Sequence, residues 1–173
     1  MIPDYQTVML PLLKTVSDGQ EYRLNDVVEI LAKQFNLTKE ERAELLPSGQ
    51  TFVFGSRVGW ARTYLKKSGL LDAPKRGTII ITQRGKEVLK EKPAELNVKY
   101  LKRFPEFLEF QSTKKEEHDL EVSTAEEIKQ KQTPEELIAT GYQTIRKALE
   151  QEILTKLKSV HPAKLKTSLL NFW

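Results

Sequence analysis

Apolar residues in the first 70 positions recur every three or four residues, which predicts a series of amphipathic helices. Asn25 is a good N-cap for the second helix, and Thr38 with Glu41 makes a capping box for the third. Gly69 allows a left-handed stop after the fourth helix. The four helices are expected over residues 4–16, 25–35, 38–47 and 52–67.

Short β-type segments alternate with these helices. An extended piece at residues 21–24 separates the first two helices, and the β-branched run 78–81 follows a turn over 74–77. Thr82 then caps one more helix, expected over 84–91. Three helices, a short strand and two strands joined by a basic turn are the layout of a winged helix. In this mainly α helix-turn-helix fold, the last long helix enters the major groove of DNA and the small antiparallel hairpin forms the wing.

The pattern changes after residue 103. Residues 112–132 contain few large apolar side chains and alternate in charge, which is typical of a solvated linker. Thr133, Pro134 and Glu136 then combine an N-cap, a first-turn proline and a capping-box glutamate, so a long helix is expected to start here. Its apolar stripe is Ile138, Tyr142, Ile145, Leu149, Ile153, Leu157 and Val160, and His161-Pro162 is expected to end it.

The chain is therefore predicted to have three parts. These are a winged-helix domain over residues 1–103, a charged linker over 104–132 and a helical segment over 133–173. The apolar stripe of the last part would be unfavourable in water, so it either folds back or pairs with a second copy. We expect a concentration-dependent homodimer that forms through residues 133–173, because the polar linker leaves the helix free to pair.

Composition excludes several kinds of chemistry. The 173 residues include no cysteine and two histidines, which excludes disulfides, thiolate nucleophiles, cysteine-held clusters and histidine-rich metal sites. The mean hydropathy is −0.49, and neither a membrane-spanning run nor a secretory signal is evident. These features predict a soluble intracellular protein without a membrane partner.

Positive charge is concentrated in one third of the chain. Residues 47–103 hold 13 basic and 4 acidic side chains, whereas residues 1–46 hold 5 and 8, and residues 104–173 hold 10 and 12. Clustered cations bind polyanions by releasing condensed counterions, so this distribution favours double-stranded DNA as the partner.

The helix expected over residues 52–67 is the candidate DNA-reading helix. Its large apolar residues share one side of a helical wheel, which we expect to be buried: Phe54, Val58, Ala61 and Leu65. The opposite side carries hydroxyls, an indole, Gly59 and a lysine, while arginines flank the buried stripe. Hydroxyls can read base edges, glycine allows close approach, and arginine can hold phosphates. The candidate DNA-binding residues of this helix are Ser56, Arg57, Trp60, Arg62, Thr63, Lys66 and Lys67.

Lys75 and Arg76, in the turn of the expected wing, complete the candidate set. Two alternatives remain at this point. The helix could be a solvated basic helix with no ligand, and Trp60 could pack against a neighbouring helix instead of contacting DNA.

One group of residues superficially matches a metal-dependent nuclease. Asp119 is followed by Glu127-Ile128-Lys129, but such residues work only when adjacent strands hold them in a dry core. The flanking residues are polar and include no β-branched run. No phosphate-binding glycine loop or nucleophile triad is evident either, so we expect no catalytic residues and no cofactor.

Residues 46–71, including Arg57-Val58-Gly59-Trp60-Ala61-Arg62, resemble the N-terminal domain of Mrr-type restriction endonucleases. The opening Ile2-Pro3-Asp4-Tyr5-Gln6, residues 81–89 and the Phe-Pro-Glu-Phe within 101–110 also resemble this family. The resemblance covers about residues 2–110, and residues 133–160 look like the helix by which the family enters its nuclease domain. It implies a winged-helix domain that binds foreign, typically modified DNA for a restriction system of the prokaryotic cytoplasm.

The chain also departs from this family. Members continue into a PD-(D/E)xK nuclease domain, which would need a divalent metal such as Mg²⁺, but this sequence reaches Trp173 before such strands. No catalytic position can be transferred, and the divergent tail suggests a truncation, a frameshift or a fragment. The expected function is that of a DNA-binding module without a nuclease site. A winged-helix transcriptional regulator and a protein-interaction module remain as alternatives.

Overall fold

A computed structural model describes residues 1–115 and 132–159, in which the chain forms eight helices and three short strands. The chain groups into two compact units, Met1–Glu136 and Leu137–Trp173. The elements, numbered in chain order, are α1 (Tyr5–Thr15), β1 (Tyr22–Arg23), α2 (Leu24–Gln34), α3 (Lys39–Ala43), α4 (Val53–Lys67), β2 (Leu71–Asp72), β3 (Thr78–Ile81), α5 (Gln83–Lys90), α6 (Val98–Leu101), α7 (Pro105–Lys115) and α8 (Pro134–Ser159).

Local capping chemistry determines where several helices begin. At α3, the Thr38 amide donates to Glu41 Oε2 at 3.0 Å, and the Glu41 amide donates to Thr38 Oγ1 at 3.2 Å. This reciprocal pair confirms the capping box. The expected cap of α2 is wrong, because Asn25 lies inside the helix and Arg23 occupies the N-cap position without a side-chain hydrogen bond.

The three strands form an antiparallel sheet in the order β1-β3-β2. Tyr22 pairs with Ile79, and Leu71 pairs with Ile81. Ile79 and Ile81 are buried, so the central strand turns its apolar face to the core. Together with α1 to α4, this sheet gives the mainly α, winged-helix-like architecture expected from the sequence, with residues 73–77 as the wing turn.

Helix α4 is the central helix of the first unit. It packs against α1, α2 and α7, and the side chains of Phe54, Val58, Ala61 and Leu65 are buried, as the wheel predicts. Gly69 has a φ of 70°, which confirms the left-handed stop after α4.

The first unit extends beyond the boundary expected at residue 103. Phe104 and Phe107 lie in the core, and α7 follows where a linker was expected. Pro105 is the first residue of α7, a position that suits proline because its missing N–H is not needed there. The Phe107 and Phe110 rings meet Tyr64 of α4 edge-on, with ring centroids 5.5 and 6.0 Å away.

Helix α8 supplies the described residues of the second unit, from Leu137 to Ser159. Its apolar stripe is exposed, from 46% at Leu157 to 74% at Ile138. Val160 and the expected stop at His161-Pro162 lie outside the described residues. Within residues 1–115 and 132–159, no helix combines the length and the hydropathy needed to cross a bilayer.

Candidate nucleic-acid interface

One face of α4 remains open to solvent. Core helices cover the side with Phe54 and Leu65, whereas Gly55, Gly59 and Lys66 lie along a partly to fully exposed strip that none of the other described elements covers. These three residues recur at intervals of four and seven positions, so they share one side of the helix. Arg62 and Thr63 border this strip. We call these five residues the open face of α4.

The two glycines of the open face are not required by packing inside the protein. Among the described residues, a Cβ added at Gly59 would meet no atom within 4 Å, and one at Gly55 would meet only the Cβ of Phe52 at 3.9 Å. At Gly85 of α5, by contrast, a Cβ would lie 2.3 Å from the Leu70 carbonyl oxygen. Glycine inside a helix costs about 0.5–1 kcal/mol relative to alanine. Gly55 and Gly59 therefore lower stability without a compensating contact from residues 1–115 or 132–159, and they leave the helix backbone more accessible to another molecule.

Polar groups border these glycines. The Nε atom of Arg62 is enclosed and has no hydrogen-bond partner among the described residues. The Thr63 hydroxyl donates to the Gly59 carbonyl oxygen at 2.9 Å, so its oxygen retains the capacity to accept a hydrogen bond. Lys66 and Lys67 are exposed at the C-terminal end of α4, and Lys67 Nζ lies 5.2 Å from the centroid of the Phe110 ring. This end of the helix presents concentrated positive charge.

The wing places two further cations in solvent, Lys75 and Arg76. The Lys75 amide donates to Thr78 Oγ1 at 3.1 Å, and Gly77 adopts a φ of 79°, which together hold the tight turn. Lys75 Nζ is 3.7 Å from Glu21 Oε2, but the Lys75 side chain is 75% exposed. An ion pair at such a distance in solvent contributes little, so Lys75 can exchange Glu21 for a phosphate at low cost.

Ser56 does not lie on the open face. It is buried at 6% exposure, and its hydroxyl donates to Glu135 Oε2 at 2.6 Å. The expectation that Ser56 faces solvent is therefore wrong. A helical wheel cannot anticipate this contact, because the hydrogen-bond partner lies 79 positions away in the sequence.

Arg57 is likewise engaged inside the first unit. Its Nη2 and Nε atoms donate to Glu136 Oε1 at 2.7 and 2.9 Å. Its Nη1 atom donates to the carbonyl oxygens of Ile2 and Pro3 at 2.8 and 3.2 Å. The second carboxylate oxygen of Glu136 accepts the Thr133 amide at 2.7 Å, which confirms the predicted capping box. Arg57 thus joins the N-terminal residues to the start of α8.

Trp60 is partly buried against the core. Its ring meets Tyr64 edge-on, with centroids 6.0 Å apart. Burial raises the pKa of the Tyr64 phenol, so this aromatic group stays neutral at physiological pH. The placement agrees with the packing interpretation of Trp60.

The family model described as the Mrr N-terminal domain matches residues 5–91. The chain belongs to the Mrr N-terminal domain family. Within the Mrr N-terminal domain, the matched range contains α1 to α5 and the whole sheet, including α4 and the wing. Helices α6 and α7 follow the matched range and extend the core of the same compact unit.

A curated relative is the type IV methyl-directed restriction enzyme EcoKMrr of Escherichia coli (strain K12). It is 27% identical over 184 aligned positions, which cover 98% of this chain and 58% of the enzyme. This chain therefore spans somewhat more than half the length of that relative. No solved structure matches the chain.

Two exposed apolar side chains close to the start of α4 are not among the candidate residues expected from the sequence of this Mrr N-terminal domain. Leu45 and Phe52 are 45% and 53% exposed and pair in an isolated antiparallel bridge. The turn signal Pro47-Ser48-Gly49 between them was the available indication of a small hairpin.

The described residues contain no group of three or more His, Asp or Glu side chains that could hold a metal ion. Asp119, Glu127 and Lys129, the residues of the superficial nuclease match, lie outside the described residues.

Proposed function

We propose that this protein binds double-stranded DNA through the open face of α4 and the wing, as the DNA-recognising part of a restriction system. The observation that carries the proposal is the open face itself. Gly55 and Gly59 expose the helix backbone between partly buried Arg62 and exposed Lys66, and no contact within the described part of the chain explains these glycines. Close approach of a helix to a groove, with cations beside it, is the arrangement that duplex binding needs.

The distribution of charge supports the same proposal. The open face and the wing both lie within residues 47–103, which hold 13 basic and 4 acidic side chains. Strand β2 packs against α4, so the wing is attached directly to the helix that carries the open face. The phosphate contacts we propose come from Arg62, Lys66, Lys67, Lys75 and Arg76. Thr63 is the proposed base-reading hydroxyl.

Three of the DNA-binding residues expected from the sequence make contacts inside the protein, and we leave them out of the proposed DNA contacts. The groups of Ser56 and Arg57 that could hold phosphates are occupied by Glu135 and Glu136. Trp60 packs on the core. We therefore assign the tethering of residues 133–136 to Ser56 and Arg57, and we assign DNA contact to the open face and the wing.

The name of the relative supports a proposal for the substrate class. EcoKMrr is named as a methyl-directed restriction enzyme, and we propose that this chain likewise recognises modified duplex DNA. The proposed activity is binding without catalysis by the described residues, and the proposed location is the prokaryotic cytoplasm.

The exposed stripe of α8 supports a second element of the proposal, a homodimer in which two copies of α8 cover each other's apolar side chains.

Salt-dependent binding of a fluorescent duplex tests the proposal. With five phosphate contacts, log K should fall with log[salt] with a slope of about −4.5. Poly-glutamate at the same charge concentration should compete only weakly with the duplex for the protein. A domain that instead binds acidic proteins would bind poly-glutamate more tightly than the duplex. Absence of duplex binding at low salt, or binding that salt does not weaken, would contradict the proposal.

A further inference from the structure

The hairpin before α4 holds two apolar side chains next to each other. The Leu46 amide donates to the Thr51 carbonyl oxygen at 2.8 Å, and the Val53 amide donates to the Glu44 carbonyl oxygen at 2.9 Å. Leu45 and Phe52 lie between these two hydrogen bonds, so they form a non-hydrogen-bonded antiparallel pair. Side chains in such a pair lie on the same face and close together. We call Leu45 and Phe52 the apolar pair.

Packing inside the protein does not explain the apolar pair. The adjacent residues Leu46 and Val53 are buried at 5% and 6% exposure, whereas Leu45 and Phe52 are 45% and 53% exposed. Phe52 also occupies the N-cap of α4 and makes no side-chain cap hydrogen bond. Ser, Thr, Asp and Asn are preferred at this position because their oxygens satisfy free amides of the first turn. Phe52 therefore makes no side-chain cap hydrogen bond, and it is 53% exposed.

The apolar pair is continuous with the open face of α4. The Cβ of Phe52 is 3.9 Å from the position that a Cβ would take on Gly55. The nearby carboxylates, Glu41 and Glu44, instead line a shallow cavity with Arg57 and the N-terminal residues. A polyanion that approaches the open face thus meets the apolar pair at the beginning of the helix and the lysines at its end.

We propose that Leu45 and Phe52 contact the 5-methyl groups of pyrimidines in the major groove and give the protein a preference for methyl-bearing steps. This inference rests on the proposed function. The N-terminal residues of a recognition helix contact base edges. The apolar feature that those edges offer is the C5-methyl group, which thymine carries and which 5-methylation adds to cytosine. Leu45 and Phe52 are thereby specificity residues, and Arg62 and the lysines provide affinity for any sequence.

Base analogues that differ by one methyl group test this role. The probes are random-sequence duplex pools made with thymine or with uracil, and with cytosine or with 5-methylcytosine. Burying one methyl group contributes about fourfold in affinity. The wild-type full chain should therefore bind the thymine pool about fourfold more tightly than the uracil pool for each contacted methyl, and it should bind better when cytosine is methylated.

Variants of the pair should abolish this difference. Phe52→Ala and Leu45→Ala should each lose part of the thymine preference, and the double variant should bind the thymine and uracil pools with equal affinity, while the salt slope of binding stays unchanged. Phe52→Leu keeps an apolar side chain and should retain part of the preference. Leu108→Ala, a change at a comparably exposed apolar residue of α7 (48%), is the matched control and should keep the full preference. Circular dichroism verifies that each variant is folded.

Two results would overturn the inference and leave duplex binding in place. One is a wild-type protein whose salt-dependent binding is equal for the thymine and uracil pools. The other is a methyl preference that persists in the Leu45→Ala, Phe52→Ala double variant. Failure to bind any duplex would overturn the proposed function together with this inference.

Discussion

Arg57 and Glu136 form a largely buried ion pair in which two guanidinium nitrogens converge on one carboxylate oxygen, at 2.7 and 2.9 Å. The side chains are 18% and 9% exposed. Because the other oxygen of Glu136 closes the capping box with Thr133, a single carboxylate both starts α8 and attaches that start to α4. Arg57 completes the arrangement by holding the carbonyl oxygens of Ile2 and Pro3.

This arrangement predicts that Arg57 supports stability. Arg57→Ala leaves the Glu136 carboxylate buried without its cation, which should cost about 3 kcal/mol in the free energy of unfolding measured with urea. Arg146→Ala removes an exposed pair with Glu150 and should cost about 0.5 kcal/mol or less. The salt slope of DNA binding should be unchanged in Arg57→Ala. An unaltered stability together with a slope reduced by about one would instead assign Arg57 to the phosphates.

A substitution at Gly59 should change stability and DNA affinity in opposite directions. Gly59→Ala adds a Cβ that meets none of the described atoms within 4 Å, so it should raise the free energy of unfolding by about 0.5–1 kcal/mol. The same methyl group would stand between α4 and the groove, so the affinity for duplex should fall. Gly141→Ala is the matched control, since its Cβ also meets no described atom within 4 Å and it lies on α8. An affinity that is equal in both variants would remove Gly59 from the interface.

The cations of the open face and the wing should contribute without sequence preference. Lys66→Ala and Lys75→Ala should each weaken binding to all duplexes and make the salt slope less steep by about one. Lys99→Ala, at an exposed lysine of α6, should leave the slope as it is. Thr63→Val, in contrast, should change which sequences are preferred if Thr63 reads bases. A slope unaffected by both lysine changes would contradict the proposed interface.

The stripe of α8 should determine the oligomeric state. Ile145 and Leu149 are 70% and 54% exposed, so Ile145→Asp and Leu149→Asp should leave each copy folded but place a charge in the proposed contact. Sedimentation velocity should then change from a concentration-dependent dimer to a monomer. Gln151→Asp adds the same charge to α8 outside the stripe and should preserve the dimer. A wild-type monomer at tens of micromolar would refute the pairing and favour the fold-back alternative.

The features that the sequence determined by itself are local ones. Thr38 with Glu41, and Thr133 with Glu136, cap their helices as their spacing predicts, because both partners lie within one helical turn. The buried stripe of α4 and the left-handed stop at Gly69 follow in the same way, since helical periodicity and a single backbone angle depend on near neighbours.

Only the tertiary structure decided which polar side of α4 stays open. The helical wheel places Ser56 and Gly59 on one solvent-facing side, but Ser56 is buried and donates to Glu135, whereas a Cβ at Gly59 would meet none of the described atoms within 4 Å. The burial of Phe107 likewise depends on a distant residue. Its ring packs edge-on against Tyr64, which lies 43 positions away in the sequence, and no local spacing encodes this contact. A helix presents the same residues in any fold, but the distant segment that packs on them determines whether a given group meets water, DNA or a buried carboxylate.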